Sequence, residues 1–157
     1  MNILFLEDRG ADAYFTKTAL EAEGHYVLQA YNLHDAQDHW NRCKQVPVHC
    51  IILDCQTPMR GLTDEQKARA EGGTLSGWVW LRDNVLPSAP EMRQRTIIYS
   101  AYVDTLEDKV PRKEYEGIRV ICKPGCLSLP GPLVAAIKDI SLMCDGALGK
   151  RRKGRRS

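Results

Sequence analysis

Four apolar runs in this chain each end on a charged or hydroxyl residue. Ile3-Leu4-Phe5-Leu6 is followed by Glu7-Asp8, Ile51-Ile52-Leu53 by Asp54, Ile97-Ile98-Tyr99 by Ser100, and Val120-Ile121-Cys122 by Lys123. Uninterrupted apolar strands suit a parallel sheet covered by helices on both faces, because neither face meets water. The pattern predicts strands at residues 2–7, 26–30, 48–54, 95–100 and 118–123. In such sheets ligands sit just beyond the carboxyl ends of the strands. The four endings are therefore expected to converge on one rim.

Helical spacing fills the intervals. A first helix is predicted over residues 11–23, with Phe15, Ala19, Leu20 and Ala22 as its apolar face and Gly24 as its stop. The second, over 33–43, starts after the N-cap residue Asn32. The third, over 75–85, carries Leu75, Trp78, Val79 and Leu81 and ends before Pro87. A fourth falls within 103–116, where Pro111 interrupts it. The fifth starts at Pro132 and buries Leu133, Val134, Ile137, Ile140 and Met143. Alternation of this kind implies a doubly wound α/β domain with right-handed crossovers.

One interval is too long. About twenty residues separate Asp54 from the third helix, where two to six are usual. Within them Thr63-Asp64-Glu65-Gln66 has the form of a capping box, and Gly72-Gly73 follows Glu71. A short exposed helix over 64–71 is expected within an insertion at about 56–74, flanked by flexible loop. It reads either as a solvated insertion or as a lid or docking surface beside the acidic rim.

The 157 residues are 43% hydrophobic and 27% charged, as expected for one soluble globular domain. No segment approaches the roughly 18 apolar residues of a membrane span, and neither a secretory signal nor a membrane role is expected. The formal charge of +2 is unevenly placed. Lys150, Arg151, Arg152, Lys153, Arg155 and Arg156 supply six of the 22 basic residues, which leaves 16 against 20 acidic ones, or −4, for the body. Residues 146–157 read as a disordered solubilising tail or as a sequence-independent contact for nucleic acid or another anionic surface. Six cysteines form no C-x-x-C pair. Cys50, Cys55 and Cys122 are expected as buried apolar thiols of a reduced, cytoplasmic protein rather than, with Cys126 and His49, as metal ligands.

Taken in order, Glu7-Asp8, Asp54, Pro58, Ser100-Ala101 and Lys123-Pro124 resemble the motifs of a response-regulator receiver domain of the chemotaxis-regulator type. Gly77 matches the glycine that opens the third helix of that family once the insertion is allowed for. The resemblance covers residues 1–145 and implies a flavodoxin-like five-stranded sheet of order 2-1-3-4-5. It also implies that Asp54 accepts a phosphoryl group from a histidine kinase or phosphotransfer protein. Mg²⁺ would be held by Glu7, Asp8, Asp54 and the backbone carbonyl of Gln56. Lys123 would pair with a phosphoryl oxygen, with Pro124 making the bond before it a candidate for cis. Ser100 would turn inward on phosphorylation and draw Ala101 and the following loop with it. Gln56 and Tyr102 occupy positions that modulate attack of water on the acyl phosphate, and the bulk of Tyr102 predicts a long-lived product.

Val120 departs from the pattern, because the family carries Tyr or Phe there. With no output domain expected after residue 145, the implied role is a single-domain regulator that signals through an unidentified downstream protein. It would catalyse nothing beyond its own phosphorylation and dephosphorylation. The alternative is a receiver-fold interaction module that works without phosphorylation, with nucleic-acid contact through the basic tail as a further possibility for either.

Overall fold

The apolar runs do pair side by side. In the computed structural model, which describes residues 1–124 and 131–153, with side chains for 1–124 and 131–145, five parallel strands form one sheet. They are β1 (Asn2–Leu6), β2 (Tyr26–Ala30), β3 (Cys50–Leu53), β4 (Thr96–Ser100) and β5 (Arg119–Cys122), in the order β2-β1-β3-β4-β5. Leu6 lies level with Ala30 on one side and Leu53 on the other, and Ser100 lies level with Cys122. That register places Glu7, Asp54, Ser100 and Lys123 on one edge.

Because successive strand side chains point to opposite faces, the sheet divides the core in two. Leu4, Leu6, Ile51, Leu53 and Ile98 pack under α2 (Leu33–Asn41), α4 (Ser76–Trp80) and α5 (Val103–Lys109). Ile3, Phe5, Ile52, Ile97 and Tyr99 pack under α1 (Gly10–Ala22) and α6 (Gly131–Lys153). The expected doubly wound architecture is therefore present. No helix among the described residues is long and apolar enough to cross a membrane.

Several local expectations need correction. In α1 the buried stripe is Ala13, Thr16 and Leu20, while Phe15 is 46% exposed. Phe15 is one position off that stripe, about 100° around the helix. In α6 Cys144 is buried and Met143 is exposed. The backbone of the same helix extends to Lys153, into the segment read as a basic tail. Arg155 and Arg156 lie outside the described residues. Cys122, at the end of the edge strand β5, is exposed, whereas Cys50 and Cys55 are buried as expected.

The insertion has the expected short exposed helix and adds anchors into the core. Its helix α3 (Asp64–Ala68) has the predicted capping box, with Thr63 Oγ1 accepting from the Gln66 N–H and Gln66 Oε1 from the Thr63 N–H. As expected it is mostly exposed, with Gln66 its one buried residue. Leu62, Gln66, Ala70 and Leu75 are buried, and Gln66 donates to Asp83 and Asn84 in the wider turn Leu81–Val85 that continues α4. With this cover α4 is buried around its whole circumference, Trp78 and Trp80 included.

At the opposite edge, His49 Nδ1 accepts a hydrogen bond from the Asn2 N–H at 2.9 Å, which requires a neutral ring. Burial, followed by the nearby Met1 ammonium and Arg95, holds its pKa below the ordinary 6.5. A depressed folded value means that the stabilisation is complete above the unfolded value and is lost as pH falls through the folded one. Urea midpoints are therefore expected to drop on acidification below about 6.5. His49→Asn, which keeps an acceptor but does not titrate, should flatten that drop.

Candidate functional site

The strand ladders continue one residue past the strand ends, and this fixes the backbone of the site. The Glu7 N–H donates to Ala30 O, the Asp54 N–H to Leu6 O and the Lys123 N–H to Ser100 O, at 3.1, 3.0 and 3.0 Å. The side chains then meet. Ser100 Oγ donates to Asp54 Oδ1 at 2.5 Å, and Lys123 Nζ donates to Asp54 Oδ2 at 2.5 Å. The same ammonium also donates to Glu7 Oε2. Backbone N–H groups complete the set, from Gln56 to Asp54 Oδ1 and from Arg9 to Glu7 Oε1.

These groups are shielded from solvent. Side-chain exposure is 7% for Lys123, 1% for Glu7 and 3% for Asp54. Burial raises the Glu7 pKa above its ordinary value, although the hydrogen bond and charge of Lys123 and the Arg9 N–H pull the other way. Burial alone would lower the Lys123 pKa. The charge and hydrogen bond of Asp54, joined by Glu7, outweigh it and hold the ammonium above its usual value. The neighbouring Cys55 thiol is pushed up to about 12 by burial and then by the Asp54 charge, so it offers no competing thiolate nucleophile.

Two contacts below the rim hold the Asp54 loop. A Cβ on Gly77 would lie 2.1 Å from Asp54 O, and the Gly77 N–H donates to Cys55 O at 2.8 Å. Only glycine allows that approach. Beside it, Ser76 Oγ accepts from the Thr57 N–H and donates to Thr57 O, both groups being buried. Thr57 and Ser76 therefore close the base of the insertion next to the acidic site. Sequence analysis missed this pair. Its one legible signal was a serine at the start of a helix, a residue type suited to bonding nearby backbone.

Glu7, Asp54, Ser100 and Lys123 are thus brought together, as predicted. Asp8, expected beside the metal, is exposed, and of the two adjacent acids it is Glu7 that accepts from Lys123. Gln56 reaches Asp54 through its N–H, while Ala101 and Pro124 are exposed beyond the rim. No peptide bond among the described residues is cis, so Lys123 reaches the site with a trans bond before Pro124. Ser100 is already turned inward onto Asp54, where the resemblance predicted that movement only on phosphorylation. Tyr102 donates its N–H to Ser100 Oγ at 3.1 Å, and its side chain packs, like Val120, against the core under α5. His49 and Cys122 sit at opposite ends of the sheet, in line with the reading that they are not ligands of one metal, and Cys126 lies outside the described residues.

The chain matches no protein-family profile and no curated protein. Solved structures do resemble it. The receiver domain of Francisella response regulator 1452 has a TM-score of 0.59 at 18% identity, covering 93% of this chain and 98% of that one. A response-regulator receiver domain from Clostridium thermocellum gives 0.60 at 20% identity, with coverage of 90% and 98%. The response regulator TrrA from Thermotoga maritima, solved in complex with Mg²⁺ and BeF, gives 0.55 at 16% identity, with coverage of 88% and 97%. The chain has the receiver-domain fold, a flavodoxin-like sheet with helices on both faces.

Proposed function

We propose that the chain is a response regulator whose Asp54 accepts a phosphoryl group from a phosphohistidine on a histidine kinase or phosphotransfer protein. The observation that carries this reading is the grip on Asp54, with Ser100 on one carboxylate oxygen, Lys123 on the other and Glu7 sharing the same ammonium. An Asp54 oxygen attacks phosphorus, the P–O bond forms as the P–N bond breaks, and the imidazole leaves. Lys123 then moves its hydrogen bond from Asp54 to a phosphoryl oxygen, and the Ser100 hydroxyl donates to another. A group bringing about −1.5 to −2 charge would thus find two donors already in place. Since the Tyr102 N–H bonds Ser100, displacement of Ser100 is passed to the start of α5, biasing two existing arrangements.

The residues also fit a divalent cation. Among the described residues no three acidic, His or Cys side chains form a ready cage. Mg²⁺ needs only one or two carboxylates and keeps several waters. Glu7 and Asp54 supply hard oxygens around one lysine, and their two charges exceed its single charge. Glu7, Asp8, Asp54 and the Gln56 carbonyl would hold the ion, which would offset repulsion between the donor phosphate and the carboxylates.

The regulator would act in the cytoplasm through contacts with a downstream protein. It would have no turnover chemistry beyond its own phosphorylation and dephosphorylation. The basic residues at 150–156 would add at most salt-dependent anion contact.

Incubation with Mg²⁺ and acetyl phosphate should add the mass of one phosphoryl group. Asp54→Asn or removal of Mg²⁺ by a chelator should abolish the gain. No gain in the wild-type chain would favour a module that works without phosphorylation. The bulk of Tyr102 predicts slow loss of the phosphoryl group once donor is removed. Decay within seconds, followed by mass, would contradict that expectation.

A further inference from the structure

We propose that the cleft between the insertion and α5 binds a small organic anion through a carboxylate or phosphate group, independently of the chemistry at Asp54. A cavity of about 310 Å³ lies there, walled by Arg69 and Glu71 of the insertion, Trp78 and Arg82 of α4 and its continuation, and Lys109 and Glu114 from α5 onward. Three buried side-chain polar atoms among the described residues have no hydrogen-bond partner, and two of them, Trp78 Nε1 and Arg82 Nη2, belong to residues of this wall. Both are donors. The nearby Trp80 Nε1 has its acceptor, Gln37 Oε1 at 2.9 Å, so an unpaired indole is not general to this helix. Trp78 is 1% exposed and held edge-on to Tyr115, whose phenolic oxygen does not accept from the indole. Buried donors are seldom left unpaired.

The cavity's cations are matched in number by carboxylates, but two of them are only loosely paired. Arg69 and the Arg82 Nε–H are committed to Asp83 at 2.8 Å. Lys109 and Arg82 Nη1 meet only Glu71 and Glu114, at 3.8 and 3.9 Å, which are ion pairs beyond hydrogen-bond length. An oxyanion entering the cleft would exchange those loose contacts for charge-assisted hydrogen bonds, with the buried indole N–H of Trp78 as a reporter in the wall. Apolar wall from Leu75 and Val110 suits a ligand with a carbon body.

The test is a titration of the full chain, labelled with ¹⁵N, against inorganic phosphate and against benzoate, with chloride matching the ionic strength. The indole N–H signals of Trp40, Trp78 and Trp80 are followed, and Trp78→Phe assigns the middle one. A saturable shift of the Trp78 signal supports the site. Phosphate alone would point to a phosphorylated ligand, and benzoate alone to a carboxylate. Lys109→Gln, a change at an exposed side chain, should weaken the affinity about tenfold. Arg82→Gln should do the same. No saturable shift with either probe overturns the proposal, and so does a shift that both variants leave unchanged. Asp54→Asn should leave this binding intact, which separates its failure from failure of the phosphoacceptor reading.

Discussion

Lys123→Met should destabilise the fold by about 3–5 kcal/mol at neutral pH, the usual cost of removing one partner from a buried ionic set. The lysine is the shared partner of Glu7 and Asp54, and all three side chains are at least nine-tenths buried. Methionine fills a similar volume, so the loss reports charge rather than a cavity. The pH dependence follows. Without the ammonium, burial raises the Glu7 carboxyl further above its ordinary 4.5. A raised folded value contributes stability that is complete below the unfolded value and is lost as pH rises through the folded one. The deficit should therefore shrink in acid. Denaturant unfolding across pH measures it, and a loss below about 1 kcal/mol at neutral pH would mean the three groups are not energetically coupled. The same variant should also accept phosphoryl poorly, because the group that moves onto the phosphoryl oxygen is gone.

Gly77→Ala should be nearly as damaging. Its added methyl would lie 2.1 Å from Asp54 O, a backbone atom that cannot swing aside as a side chain would. Overpacking of this kind costs about 1–3 kcal/mol or more. The gain of about 1 kcal/mol from alanine's helix propensity does not offset it. Relief requires α4 to move away from β3, so the Asp54 loop should shift as well. Two losses are expected, in unfolding free energy and in phosphoryl acceptance, with the second persisting at low temperature where the variant is folded. An alanine variant of wild-type stability would contradict the close approach.

The sheet and the four converging residues could be read from the chain because both rest on local patterns. Each strand is an unbroken apolar run, and a parallel sheet fixes where its ends lie. The sequence could not show that Glu7, rather than Asp8, holds Lys123. Which of two adjacent acids faces inward depends on how the chain turns into α1. Phe15 was misplaced for a related reason, since α1 packs through the small residues Ala13 and Thr16. The insertion showed its capping box but not its packing. Its buried residues Leu62, Gln66 and Ala70 stand four apart, but one is a polar Gln and one a small Ala, so the apolar stripe is faint, and the partners of Gln66 at 83 and 84 are distant in sequence. The inward Ser100 is a rotamer choice made by Asp54 across the sheet, to which no local pattern refers.

The most direct test of the account is chemical trapping of the phosphorylated residue. After incubation with Mg²⁺ and acetyl phosphate, borohydride would reduce an aspartyl phosphate to homoserine, and peptide mass mapping would locate it. Conversion at position 54 alone is the predicted result. Conversion at Asp8 or another carboxylate, or none anywhere in a folded sample, would contradict it.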